Sequence, residues 1–178
     1  VALSLLISVG SSTALSRNNG KKDIETSKRV IKNGFTLAYA LMIPLTIIIL
    51  FQGTKILKLL GASNAILPLA HDYLSLINFG SIFLSLTIFI SHIMLSLGNS
   101  RISIMSTSLG AMVNIILDYI LVMHVGLGVK GAAIATTISQ LIGFIYAYYH
   151  YRKVTKEFNM TPGFVLDKEI FIPIILVG

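Results

Sequence analysis

The sequence has no cysteine and very little charge. Without cysteine, neither a disulfide nor a thiolate metal site can form within these 178 residues. Only 12% of residues are charged and 54% are hydrophobic, with a mean hydropathy of +0.84. A water-soluble domain of this length needs a charged exterior that this composition cannot supply. Other signatures are missing too. No metal-ligand cluster, Walker loop, dinucleotide fingerprint or Ser-His-Asp arrangement occurs, so nothing here supports an enzyme or an ATP-driven pump.

The charges that remain are clustered, and the runs between them are long. Residues 33–54 and 73–100 carry none, and neither do 131–151; residues 102–129 hold a single charge, Asp118. At 1.5 Å per residue, a 22-residue run covers roughly 33 Å, enough to cross a hydrocarbon core of about 30 Å. Only helices or closed barrels satisfy their backbone in lipid, and these runs are apolar throughout instead of alternating. The expectation is an all-α, polytopic transmembrane bundle whose partner is the lipid bilayer. Complete spans are read near 34–52, 73–97, 101–123 and 131–150. A partial span, 1–15, precedes them, and another begins near Ile170. Residues 1–15 read as a truncated transmembrane helix, since no basic region of a signal peptide precedes them. Lacking an initiator Met and stopping inside an apolar run, the chain reads as a piece of a longer polypeptide.

Orientation follows from Lys and Arg. One side of the membrane collects Arg17, Lys21, Lys22, Lys28, Arg29, Lys32, Arg101, Arg152, Lys153, Lys156 and Lys168, eleven of the fourteen basic residues. The other side has Lys55, Lys58 and Lys130. The positive-inside rule places the eleven in the cytoplasm, and the +7 net charge is thereby a matter of topology. Because the basic residues alternate with spans and form no single face, a nucleic-acid partner is not expected. Gly98-Asn99-Ser100 reads as a tight cytoplasmic turn and His124–Lys130 as a tight outer one. In the longer outer segment 53–71, the pattern around Lys55 and Lys58 suggests a short interfacial helix. Pro44 is expected to kink its span. Tyr146, Tyr148, Tyr149 and Tyr151 read as an interfacial aromatic belt, and His92 as a hydrogen-bonded structural imidazole.

Chemistry concentrates in the fourth and fifth spans. Ser103, Thr107, Gly110, Asn114 and Asp118 follow at spacings that share one helical face. Small and hydroxyl residues on that face suit helix packing. Asp118 is another matter, because an ionised carboxylate in a span costs about 2.5–3.5 kcal/mol even on the lenient insertion scale. It is the only one of seven acids that lies within a span. Asp118 lies six residues before the outer turn and Thr136 six after it, which puts them at similar depth. Thr136 shares its face with Ala132, Ser139 and Gly143, while Gly131, Ala135, Ser139 and Gly143 form a small-residue groove. A carboxylate, an amide carbonyl and a hydroxyl would then converge. Such oxygen ligands suit a small hard cation such as sodium, and a buried carboxylate can instead take up a proton. Either event removes a buried negative charge and can bias two conformations.

Asn114-Ile-Ile-Leu-Asp118-Tyr, followed by Gly126-Leu-Gly-Val-Lys-Gly131-Ala-Ala-Ile-Ala-Thr136-Thr-Ile-Ser139, closely resembles the multidrug and toxin extrusion (MATE) transporter family. Ser16-Arg17-Asn-Asn-Gly20 resembles the family's cytoplasmic loop after its second helix, and Leu95-Ser-Leu-Gly98-Asn-Ser-Arg101 the turn between its fourth and fifth helices. The resemblance implies two six-helix lobes. Residues 1–150 would be the amino-terminal lobe from the end of its second helix through its sixth. Residues 151–169 would be the cytoplasmic inter-lobe linker, and 170–178 the start of the seventh helix. It also implies a coupling-cation site, Na+ or H+, at Asn114, Asp118 and Thr136, completed by an acid on the family's first helix. No other cofactor is implied. The implied activity is antiport of amphipathic organic cations across the cytoplasmic membrane, with the rest of the polypeptide as the other partner. Tyr39, Tyr119 and Phe35 are candidates for lining a substrate cavity through cation–π contacts, with apolar packing the alternative. Two competing functions stand beside it. A lipid-linked saccharide flippase predicts basic residues lining the cavity, and these spans have none. A non-transporting membrane scaffold predicts that Asp118→Asn is harmless.

Overall fold

A computed structural model describes residues 2–156, Gly163, Val165 and 167–177. Among these residues the chain is helical, with six α-helices: α1 Ala2–Gly20, α2 Ile24–Leu59, α3 Leu67–Ser96, α4 Ser100–Asp118, α5 Gly128–Thr155 and α6 Lys168–Val177. A π-helical turn, Tyr119–His124, extends α4. Four of the helices (α2, α3, α4 with its π-turn, and α5) are long and apolar enough to cross a membrane, as the uncharged runs require.

The turns follow local chemistry. Asp23 ends the first turn, accepting a 3.0 Å hydrogen bond from the Thr26 N–H and one of 2.6 Å from its hydroxyl. This is side-chain capping of an otherwise unpaired helical amide. Those bonds hold the Asp23 carboxyl below the usual carboxylate range. Gly98, at φ 79°, supplies the left-handed residue that ends α3 before α4 begins.

Two expectations about these ends need correction. The stretch Ser16–Gly20 is the last turn of α1, leaving only Lys21–Asp23 as loop. The segment around Lys55 and Lys58 is not a separate interfacial helix. It is the continuous end of α2, which also runs through Pro44. Propensity explains this: Lys, Leu and Ile all continue a helix at little cost, and the first glycine at positive φ comes only at Gly61.

The core lies where α1, α2, α3 and α5 meet, with α6 sealing one end. Phe35 of α2 packs edge-on against Phe89 of α3, centroids 4.8 Å apart, and against Tyr151 of α5 at 5.7 Å. Such aromatic pairs add about 0.5–1.5 kcal/mol each beyond their burial. Tyr151 is fully buried, so it does not join the expected aromatic belt. Phe35 likewise is core and does not line a cavity. Around this apolar centre run interhelical polar bonds. Ser4 Oγ donates to Ser85 Oγ at 2.8 Å, Asn78 Nδ2 to the Thr46 carbonyl at 2.9 Å, and Thr137 Oγ1 to the Leu76 carbonyl at 3.0 Å. In apolar surroundings each contributes about 0.6 kcal/mol on average. Lys130 and Asp72 pair at 2.8 Å, bridging the starts of α5 and α3.

Candidate functional site

The site is built on the seam between α4 and α5. Gly131, Ala135, Ser139 and Gly143 are all buried, so the small-residue groove of α5 is filled by protein. Into it fits α4, whose single buried residue is Ser106. A Cβ built on Gly143 would lie 3.0 Å from the Ser106 carbonyl oxygen and 3.8 Å from Gly110 Cα, and one on Gly131 would lie 3.0 Å from the Leu121 carbonyl. Backbones this close leave no room for larger side chains. The expected packing stripe holds at Gly110, where a Cβ would lie 3.4 Å from the Ser139 carbonyl oxygen, and departs at Thr107. Thr107 is exposed, whereas Ser106 is buried and bonded to Ser91 of α3 at 3.1 Å.

This seam fixes the register of the three predicted site residues. Asn114 Nδ2 donates to Thr136 Oγ1 at 3.4 Å, a long hydrogen bond. The structure brings those two together and leaves Asp118 one turn away, hydrogen-bonded to neither. The reason lies in the turn. α5 starts at Gly128, three residues before the expected start of the span. That carries Thr136 about 4.5 Å deeper, toward Asn114. Asp118 itself is half-buried, not wholly buried as its apolar surroundings suggested. Its Oδ1, however, is buried with no hydrogen-bond partner among the described residues. An unpartnered buried carboxylate oxygen is costly in apolar surroundings.

Asp118 also stands where α-helix gives way to π-helix. Such π-turns are rare, often occur at functional sites, and carry no apolar pattern that a sequence reading could detect. Asn114 and Thr136 border a cavity of about 220 Å³ between α3, α4 and α5, walled also by Thr87, Ser106, Ser139 and Gln140. Gln140 Oε1 is buried without a partner among the described residues. Sequence reasoning missed Gln140; the signal was a lone amide in mid-span, beside the flagged Ser139.

The candidate aromatic lining does not assemble. Tyr39 stacks on Phe35 at 6.2 Å and is half-buried. Tyr119 is 59% exposed and packs edge-on against His124 at 4.8 Å. Their helices do not touch each other among the described residues. His92 is half-buried on α3, with no hydrogen bond to its ring among the described residues, so the expected hydrogen-bonded role is not met.

A family model, MatE, matches residues 1–120, two thirds of the chain. The chain belongs to the MatE family. The multidrug export protein MepA of Staphylococcus saprophyticus is 29% identical over 181 residues, covering 100% of this chain and 40% of MepA. The FAD transporter of Shewanella oneidensis is 30% identical over 152 residues, 83% of this chain and 34% of that protein. Among solved structures, the inward-facing conformation of a multidrug resistance MATE family transporter of the MOP superfamily aligns with a TM-score of 0.87 at 27% identity, over 99% of this chain and 41% of that one. A crystal structure of MATE in the straight conformation gives 0.88 at 26% identity, over 99% and 40%. The MatE chain thus spans about 40% of the length of these relatives. It is a multi-pass helical membrane protein, as the uncharged runs and the motif resemblance both indicated.

Proposed function

We propose that this MatE chain is part of the amino-terminal lobe of a cation-coupled antiporter in the cytoplasmic membrane, which exports amphipathic organic cations. In this reading residues 151–169 link the lobes, and α6 opens the following one. The observation that carries it is the buried, unpartnered Oδ1 of Asp118, one turn from the Asn114–Thr136 pair. Sodium would be held there by oxygens of Asp118, Asn114 and Thr136, or a proton by Asp118 alone. Loss of the buried charge would favour one arrangement of the lobes, and restoring it the other. A relative that is a multidrug export protein supports the substrate class. The FAD transporter among the relatives favours a second reading, in which the substrate is a large aromatic metabolite.

The test uses the full-length protein in proteoliposomes, with a fluorescent organic cation and with FAD, under an imposed sodium or proton gradient. Asp118→Asn should reduce gradient-driven export at least 100-fold with expression unchanged. Undiminished export by that variant would remove the coupling assignment, and transport of FAD alone would establish the second reading.

A further inference from the structure

The segment after α5 is fastened to α2 far more firmly than a connecting loop requires. Arg29, Lys32, Asn33 and Thr36 lie on one stripe of α2, spaced i, i+3, i+4 and i+7. Running antiparallel along that stripe, the alternate residues Gly163, Val165 and Asp167 meet it in turn. Thr36 Oγ1 accepts the Val165 N–H at 2.9 Å and lies 3.2 Å from the Gly163 carbonyl. Asn33 Oδ1 accepts the Asp167 N–H at 2.8 Å, while its Nδ2 donates to the Arg29 carbonyl at 2.9 Å. Arg29 forms an ion pair with the Asp167 carboxylate.

Asn33 and Thr36 are only 1% and 8% exposed. Both are polar side chains turned inward to serve another segment's backbone. Asp167 then passes the attachment directly to α6, because its carbonyl accepts the Ile170 and Phe171 N–H groups at 3.1 and 2.8 Å. Ile170 and Ile174 are buried against α1 and α2. A Cβ on Gly10 would lie 1.9 Å from the Ile174 carbonyl oxygen, so main chain meets main chain there.

We infer that Gly163, Val165, Asp167 and α6 through Ile174 form a permanent clasp, with Asn33 and Thr36 as its positioning residues, so that the first turns of α6 move with α1 and α2. The inference rests on the transport reading for its functional consequence. If the protein alternates between two lobe arrangements, the moving joint lies beyond Ile174 and not in the loop after α5. Opening the clasp would break both backbone hydrogen bonds and leave the acceptors on buried Asn33 and Thr36 unpaired. It would also separate a contact that has no side chain to adjust. Pro173, on the exposed side of α6, already deprives the helix of one ladder bond beside that joint.

Hydrogen exchange on the full-length protein reads the clasp without reference to transport. The Val165 and Asp167 amides should exchange at least tenfold more slowly than in an unstructured peptide. Thr36→Val should release Val165 alone, and Thr36→Ser should restore it; fast exchange in the unaltered protein, or no response to Thr36→Val, overturns the clasp. Its permanence is read by bridging Arg29→Cys to Asp167→Cys with a short reducible crosslinker. The bridged protein should export at no less than half the unbridged rate, whereas a block relieved by reductant would show that the clasp opens during transport. The transport reading is tested separately by Asp118→Asn, and the exchange data decide the clasp whether or not the unbridged double variant exports.

Discussion

Gly10→Ala puts the contact between α1 and α6 to a direct test. The new methyl would start 1.9 Å from the Ile174 carbonyl oxygen and must reach at least 3.0 Å, so the two backbones must part by roughly 1.1 Å. A flexible side chain could absorb that displacement, but main chain can do so only by moving the helix. Overpacking of this kind costs about 1–3 kcal/mol, against about 1 kcal/mol gained by placing alanine in a helix interior. With a rigid obstacle the upper part of the range applies, leaving a net loss of about 1–2 kcal/mol. At about 2–4 °C per kcal/mol for a unit of this size, the apparent Tm should fall by about 2–8 °C. Gly20→Ala on the same helix, where a Cβ meets nothing within 4 Å, is the control and should stay within about 0.5 kcal/mol of the parent. Thermal denaturation of the full-length protein in detergent, followed by size-exclusion of a fluorescent fusion, measures both. If Gly10→Ala is as stable as Gly20→Ala, α6 does not rest on α1 as described, and the reasoning fails.

Two further outcomes follow from the site and the caps. Thr136→Val removes a long, weak hydrogen bond to Asn114, so it should destabilise the fold by about 0.6 kcal/mol. If Thr136 holds the coupling ion, the same change should raise the cation concentration for half-maximal export at least tenfold, whereas equal cation dependence in both proteins would leave Thr136 a packing residue. Asp23, with its carboxyl held low by Thr26, contributes stability that is present above the unfolded value of 3.8 and lost as pH falls through the lower folded value. Amide exchange at Thr26 should therefore accelerate below about pH 4 beyond its intrinsic pH dependence, and Asp23→Asn, which caps in either condition, should abolish that extra acceleration.

Much of the fold was legible because lipid makes demands that a sequence must meet residue by residue. An uncharged run of 20 or more residues has few other solutions. The seam was legible as well, since Gly131, Ala135, Ser139 and Gly143 recur every fourth position and small residues are what close helix contact needs. The motif at Asn114, Asp118 and Thr136 fell on two helices that meet, with Asn114 bonded to Thr136. Counting residues from the turn could not give the final register, because it assumed one helical geometry on both sides. The π-helical turn and the early start of α5 altered the two arms differently, and Asn114, not Asp118, met Thr136.

Amino-acid order alone therefore determined that this MatE chain is a stack of membrane helices, and which few polar residues had to be explained. Tertiary structure decided which apolar faces meet protein. Lipid tails and leucine side chains are equally apolar, so nothing in the pattern told Tyr151, buried at the core, from Tyr149, exposed on the same helix. It also decided that Asn33 and Thr36, whose side chains also bond their own helix at the Arg29 and Lys32 carbonyls, would serve backbone amides 134 and 129 positions away. Contacts that distant arise only when the helices between them have packed.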